Sequence, residues 1–495
     1  MSTKSTPALM LMGTGSDVGK SLIVAGLCRA FTNQGLKVRP FKPQNMSNNA
    51  AIAHDGGEIG RAQALQAQAC RVPTSHHMNP VLLKPESMTG SQVIVHGKRW
   101  GHAAGKDYQR LKRQFMPAVI ESFNTLGADA DLVLVEGAGS ASEVNLRAGD
   151  IANWGFAVES QTPVALIGDI DRGGVIASLV GTWNVIGDAE RTLLKGFMIN
   201  RFRGDMSLFS EGLQLITHHT GLSSLGIVPH FADAHKLPPE DSVALDYKSI
   251  ASHTKGLKIA VPQIARIANY DDFDPLRAEP HVQLVFVAPG DVIPADADLI
   301  ILPGSKSTIA DLGHLRAQGW ALDIQSHVRR GGQVWGICGG YQMLGRQLHD
   351  PEGIEGPAGS VEGLGLLDID TIMGGDKITI ESGGHSPFLQ AAFQGYEIHL
   401  GRTRGPDCAR PVFEISGRGP DGAVRRDGLV AGGYVHGMFK HDAFRRAFLA
   451  WAGGEAQAEL NFNAQVEATL DALGTHLAQS LNLDQLFAIA ASARC

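Results

Sequence analysis

Ala8-Leu9-Met10-Leu11-Met12-Gly13-Thr14-Gly15-Ser16-Asp17-Val18-Gly19-Lys20-Ser21 opens the chain and decides how its first half is read. The five apolar residues Ala8–Met12 have the length and bulk of a buried strand. The glycine-rich run behind them can turn its N–H groups inward and cradle phosphate oxygens. From Ser21 to Asn33, Leu22, Ala25, Leu27 and Phe31 supply the apolar positions of a helix. The loop therefore meets a helix N-terminus, whose dipole favours an anion. Gly13, Gly15 and Gly19 shape the loop, Lys20 can reach the outer phosphates, and Ser21 is placed to ligate Mg²⁺. The loop is one residue longer than the common form, with Thr14 where the first glycine usually stands and Gly13 one place further back.

Outward from this loop, short apolar runs alternate with helical patterns. Val38–Pro40, Leu132–Val135, Val164–Ile167 and Gly196–Ile199 read as strands. Strands alternating with helices predict a doubly wound, mostly parallel α/β sheet. Ligands collect at the C-terminal strand ends of such sheets, and Lys42, Glu136, Asp169 and Asp171 all fall there. Asp169 and Asp171 are candidates for metal or substrate contact on that placement, and Asp55 is a weaker one. This first domain is expected over residues 1–236. A turn-rich, polar stretch beginning Leu237-Pro238-Pro239-Glu240-Asp241 marks a linker over 237–255. Strands at Lys258–Val261, Val282–Val287, Leu299–Leu302 and Gln333–Ile337 then predict a second α/β domain over 256–450. In the remaining segment, 451–495, a helical pattern sets in from about Glu455. Val466, Leu470, Leu473, Leu477 and Leu481 recur there at helical spacing and predict a helix that docks by packing.

The sharpest motif of the second domain is Val334-Trp335-Gly336-Ile337-Cys338-Gly339-Gly340-Tyr341-Gln342, read as strand, tight turn and helix. Glycines on both sides of Cys338 permit a nucleophile elbow, and the helix start behind it favours the thiolate. A thiolate nucleophile needs a base within reach. His436, in Gly433-Tyr434-Val435-His436-Gly437-Met438, is the leading candidate, and His399 is its rival. Cys28, Cys70, Cys408 and Cys495 show no CxxC spacing and imply neither a disulfide framework nor a structural zinc.

A net charge of −7 argues against a nucleic-acid partner and against an anionic membrane surface. No run approaches the roughly 18 apolar residues needed to cross a bilayer, and Ala8–Met12 is too short for a signal-peptide core. The expectation is a cytoplasmic enzyme with no membrane partner.

The glycine loop, with its G-T-x-x-x-V-G-K element, resembles that of dethiobiotin synthetase and its relatives. The resemblance implies a P-loop NTPase-like domain that makes acyl phosphates from carboxylates and ATP. It also implies Lys42 at the reaction centre, Glu136 and Ser21 on Mg²⁺ with Asp169 as a further metal candidate, and Asn200-Arg201 on the nucleotide base. The Cys338 elbow with a histidine about a hundred residues downstream resembles class I glutamine amidotransferases. That likeness implies an oxyanion site at Gly304, Ser305 and the N–H of Gly339. Those enzymes usually carry His-Pro-Glu, whose glutamate orients the histidine; here Gly437 and Met438 follow His436.

Lys42-Pro43-Gln44-Asn45-Met46-Ser47-Asn48-Asn49, Glu58–Gln63, Met78–Pro85 and Asp169–Gly174 extend the likeness over nearly the whole chain. Together they resemble the cobyric acid synthase family, whose amidotransferase domains have a Cys–His pair without the matching glutamate. This implies two doubly wound domains that use ATP, Mg²⁺ and L-glutamine. The implied corrinoid substrate is adenosylcobyrinic acid a,c-diamide, amidated at carboxylates b, d, e and g, with Asn45 among the substrate contacts. Two alternatives are weighed. The cobyrinic acid a,c-diamide synthases share the architecture but lack the Asn-Met-Ser-Asn-Asn type of segment. An ATP-driven switch protein of the partitioning-ATPase kind has no use for Cys338 with His436.

Overall fold

The computed structural model describes residues 6–85, 90–239, 256–355, 358–375, 377–454 and 460–492. Most of the expected linker, the start of the C-terminal segment at 455–459 and Cys495 lie outside the described residues. The chain divides into two compact units. One holds residues 6–47, 53–239 and 466–492; the other holds 48–52, 256–454 and 460–465.

The first unit is built on a six-stranded parallel sheet. Its strands are β1 (Ala8–Gly13), β2 (Val38–Phe41), β3 (Leu132–Ser140), β4 (Val164–Asp169), β5 (Leu194–Phe202) and β6 (Ser223–Pro229). They lie in the order β6-β5-β4-β1-β3-β2, with β1 between β4 and β3. Met10, Met12, Val133, Val135, Leu166, Phe197 and Ile199 are buried in one core. A sheet covered on both faces explains why its strands read as continuous apolar runs. Helix α1 (Lys20–Asn33) follows the loop after β1, and α2 (Arg61–Ala69) precedes β3. A four-stranded sheet formed by Gln44–Met46, Val81–Pro85, Gly90–Val95 and Lys98–Ala104 is an addition that strand–helix alternation does not announce.

The second unit repeats the plan. Strands β7 (Leu257–Pro262), β8 (Val282–Val287), β9 (Leu299–Leu302), β10 (Gln333–Ile337), β11 (Ala423–Val424) and β12 (Val430–Gly433) lie in the order β8-β7-β9-β10-β12-β11. All pairs are parallel except β11 with β12. Two further four-stranded sheets fill the long interval between β10 and β12. Helix α3 (Gly339–Leu344) springs from the end of β10.

The expected C-terminal segment is not a unit of its own. Helix α4 (Phe462–Ser480) buries Val466, Leu470, Leu473 and Leu477, and from Val466 onward the chain belongs to the first unit. A Cβ at Gly26 of α1 would run into Leu477 and Leu473, so the two helices touch closely there. Buried Arg29 of α1 ties to Glu467 at 2.6 Å and Asp471 at 3.2 Å. No helix among the described residues is long and apolar enough to cross a membrane.

Candidate functional site

In the first unit, the loop between β1 and α1 closes around Lys20. Its Nζ donates to Gly139 O at 2.8 Å and to Gly15 O at 3.1 Å. Gly19 caps α1 at φ +91°, a backbone region that a side chain disfavours, and a Cβ there would meet the Asn200 amide. Asn200 ends its approach by donating Nδ2 to Val18 O at 2.8 Å. Gly13 packs as closely, since a Cβ would stand 3.0 Å from Lys20 Nζ.

Glu136, fully buried on β3 beside Leu11 in register, is the centre of the polar cluster. Its Oε1 accepts from Ser21 Oγ at 2.7 Å and from Lys42 Nζ at 2.8 Å, and its Oε2 accepts from Gln66 Nε2 at 2.6 Å. Lys42 is itself buried. A hydroxyl and a carboxylate are hard oxygen donors that suit Mg²⁺, which keeps waters and phosphate oxygens in its remaining positions. Among the described residues there is no cluster of three His, Cys, Asp or Glu able to hold an ion.

Not every candidate joins this cluster. Asp169 ends β4 on the far side of β1, opposite Asn200 in register. It pairs with Arg201 at 2.8 Å, with Arg172 at 3.7 Å. Asp171 pairs with Arg203 at 2.9 Å. Asp55 accepts from Ser75 Oγ and His76 N, in a turn of its own. Asn45 is buried and donates Nδ2 to Gln63 Oε1 at 3.1 Å. Asn48 and Asn49 belong to the second unit. Gln66 is a residue that sequence reading passed over. Nothing in the sequence marks it: two glutamines three apart are ordinary on a helix, and the full burial of Gln63 and Gln66 is visible only in the structure.

In the second unit, Cys338 stands between β10 and α3 at φ 50°, ψ −107°. Positive φ at a residue with a side chain is strained, and such strain gathers at functional sites. The thiol is 7% exposed and its Sγ lies 3.7 Å from Ile398 O. His436, three residues beyond β12, neighbours Cys338, which is among the groups that act on its pKa. Its backbone is pinned by Tyr396 in both directions, at 2.7 and 2.9 Å. His436 Nδ1 lies 2.7 Å from Asp272 Oδ2, and both side chains are 1% exposed. Burial pushes the imidazole pKa down. The charges of Asp272 and then Cys338, with the hydrogen bond to Asp272, outweigh that and raise it to about 10. The imidazole is thus held as imidazolium against the thiol at neutral pH, the state that supports a thiolate.

Gly304 and Ser305 lie beside this pair. A Cβ on Gly304 would come 2.8 Å from His436 Cε1, and one on Gly339 would come 2.9 Å from Ser305 N. Gly304 thus packs against the imidazole, and Ser305 against the first residue of α3. His399 goes elsewhere: Nε2 lies 3.3 Å from Glu397 Oε2, and the ring stacks on Tyr434 at 3.7 Å. Asp272 was missed in the sequence, where it sits in Asp271-Asp272-Phe273-Asp274, 164 residues before its partner.

Residues 9–243 match the CobQ/CobB/MinD/ParA nucleotide binding domain, and residues 258–444 match the CobB/CobQ-like glutamine amidotransferase domain. The chain is 60% identical to a cobyric acid synthase of Rhizobium rhizogenes, over 95% of this chain and 97% of that protein. It is 59% identical to one of Allorhizobium ampelinum, over 97% and 99%. A third, of Methylobacterium nodulans, is 58% identical over 98% and 99%.

Proposed function

The chain belongs to the cobyric acid synthase family, and from that premise we propose that it uses ATP and the amide nitrogen of glutamine to amidate a corrinoid in adenosylcobalamin biosynthesis. The finer reading is amidation of carboxylates b, d, e and g of adenosylcobyrinic acid a,c-diamide, giving cobyric acid. The observation that carries it is the Cys338–His436 pair at a strained elbow, in a chain whose other unit holds Ser21 and Lys42 on Glu136, with Lys20 in the glycine-rich loop that leads into Ser21.

The Cys338 thiolate attacks the amide carbon of glutamine, and the oxygen takes up negative charge. The N–H groups of Gly304, Ser305 and Gly339 are the donors proposed to receive it. His436 gives its proton to the departing nitrogen, the C–N bond breaks and ammonia leaves. Water then attacks the thioester, His436 takes its proton, and glutamate departs from the free thiol.

In the other unit the γ-phosphoryl group of ATP passes to a corrinoid carboxylate, releasing ADP. A carboxylate is a poor electrophile, and phosphorylation supplies its leaving group. Lys20 and Lys42 neutralise charge on the transferring group, and Asn200 sits at the nucleotide. When bound, Mg²⁺ draws charge from the phosphate oxygens; Ser21 and Glu136 are the residues that would hold it. Asn45 is proposed to face the corrinoid. Ammonia attacks the acyl carbon, phosphate leaves, and the nitrogen loses a proton to complete the amide.

The test compares wild type with Cys338→Ser on adenosylcobyrinic acid a,c-diamide, supplied with glutamine or with ammonium salt. The variant is expected to lose glutamine-driven amidation and keep the ammonium-driven reaction. A wild type that hydrolyses glutamine but leaves this corrinoid unchanged would defeat the substrate assignment, and cobyrinic acid would be the next acid to supply.

A further inference from the structure

We propose that Asp272 is the positioning residue of the glutaminase site, holding His436 in one orientation and one tautomer where the family's motif carries no glutamate after the histidine. The inference rests on the glutaminase role of Cys338 and His436 and deepens it.

The geometry is that of a two-point grip. Asp272 Oδ2 faces His436 Nδ1 at 2.7 Å, and Oδ1 accepts from Gly437 N at 2.6 Å. The carboxylate therefore fixes the ring and the backbone that carries it with the same plane. A carboxylate facing Nδ1 requires the proton there. That leaves Nε2 as the nitrogen available to Cys338, since a ring has only two.

The segment that supplies Asp272 is built to hold it still. Asn269 adopts φ 51°, ψ 45°, and Asp272 N bonds back to Asn269 O at 3.0 Å. The short helix Tyr270–Phe273 that follows is wholly buried. Asn269 is anchored in turn, its Oδ1 accepting from Ala50 N at 3.2 Å. The neighbouring Asp271 turns away from the imidazole and accepts from Lys440 Nζ at 2.7 Å.

The titratable groups facing the imidazole are Asp272, Cys338 and the Tyr396 phenol ring stacked at 5.6 Å; Asp271 and Lys440 are paired with each other. Asp272 is the carboxylate among them. A glutamate two residues after the histidine reaches it locally. Here the same chemistry arrives from a turn after the first strand of the unit, and local motif reading misses it.

The experiment uses full-length enzyme and three readouts: glutaminase kcat and KM, ammonium-driven amidation, and the pH profile of Cys338 alkylation by iodoacetamide. Asp272→Asn keeps the volume and can still accept from Gly437 N, but offers the imidazole no charge. Glutaminase kcat is expected to fall about 10²–10⁴-fold, by analogy with the loss of a triad aspartate. KM for glutamine should hardly move, and the ammonium-driven reaction should persist. The pH profile of alkylation should move away from that of the wild type, because the imidazole beside the thiol has lost its carboxylate. Asp271→Asn is the control, equally buried but directed to Lys440; it should leave kcat and the profile in place.

A kcat within about 3-fold of wild type, an unmoved profile, or equal losses in both asparagine variants overturns the proposal. If Asp272→Asn does not fold, the wild type still decides. A carboxylate-bound Nδ1 proton should appear far downfield in the proton spectrum of ¹⁵N-histidine-labelled enzyme and vanish in His436→Gln; its absence refutes the assignment. A wild type without glutaminase activity would instead defeat the parent reading.

Discussion

Glu136→Gln removes one charge from the buried cluster of the first unit and almost nothing else. The carboxylate accepts from Ser21, Lys42 and Gln66 at 2.6–2.8 Å, and it is wholly buried. Glutamine keeps an oxygen for Ser21 and Lys42. Its new NH₂ faces Gln66, whose Oε1 is buried without a hydrogen-bond partner and can turn to accept it. The hydrogen bonds survive, and the Lys42 ammonium, 5% exposed, is left opposite a neutral group. Removing one partner of a buried ion pair costs about 3–5 kcal/mol. The retained hydrogen bonds put this change near the lower figure. At roughly 2–4 °C per kcal/mol for a unit of this size, the melting transition should fall by roughly 6–12 °C.

The transition belonging to this unit is the one that an ATP analogue raises. Differential scanning calorimetry with and without nucleotide identifies it, and a double-mutant cycle isolates the charge effect. Lys42→Met together with Glu136→Gln removes both charges and should recover much of the loss, because an uncharged buried pair is tolerated better than half an ion pair. Mg²⁺-dependent ATP turnover should fall in both variants while glutaminase activity stays. Additive melting losses in the double variant would refute the ion-pair account. Full ATP turnover in Glu136→Gln would refute the placement of Glu136 on the metal.

Two predictions concern the second unit. Gly304→Ala sets a methyl 2.8 Å from His436 Cε1 and 3.1 Å from Ala268 O. The imidazole must shift by a few tenths of an ångström or more, and a misplaced catalytic group of this kind costs up to about 10² in rate. Glutaminase kcat should drop on that scale with ammonium-driven amidation unaffected; unchanged kcat would show that the imidazole does not depend on this approach. The second prediction is a pH dependence. His436 binds its proton more tightly folded than unfolded, with a pKa raised to about 10 against an ordinary 6.5. Its contribution is fully present below pH 6.5 and is lost as pH rises toward 10, at up to about 1.4 kcal/mol per pH unit. Thermal melts of wild type and His436→Gln across pH 6–9.5 should converge as pH rises; parallel curves would sink the argument.

What could be read in the chain was what is written locally. The loop from Gly13 to Ser21 and the elbow at Cys338 are continuous stretches whose residue types must suit a fixed backbone, so both are visible in the sequence. The buried strands were legible for a similar reason, since burial on both faces keeps them apolar until any polar residues at their C-terminal ends. The docking of α4 on α1 was not. Its leucine stripe announced that it packs, but a stripe says nothing of the surface it meets, which is set by Gly26 and Arg29 more than four hundred residues earlier. The antiparallel strands between β10 and β12 were equally silent: after Ile378 and Ile380, the run Glu381-Ser382-Gly383-Gly384-His385 has no apolar residue to continue the alternation that marks a half-buried strand.

The glutaminase site shows where local reading ends. The absence of Pro-Glu after His436 is itself information: an imidazole buried to 1% exposure needs a partner at its second nitrogen, whatever supplies it. The sequence thus contained the demand without the supplier. Candidates for that supplier were every Asp and Glu in the unit, and nothing in spacing ranked Asp272 above Asp271 or Asp274. The register of the buried turn does. Asn269 at φ 51° starts the short helix so that successive side chains face different partners, sending Asp271 to Lys440 and Asp272 to His436. A shift of one residue in that turn would exchange the two acids, so the specificity of the site lies in a backbone conformation that no single side chain reveals.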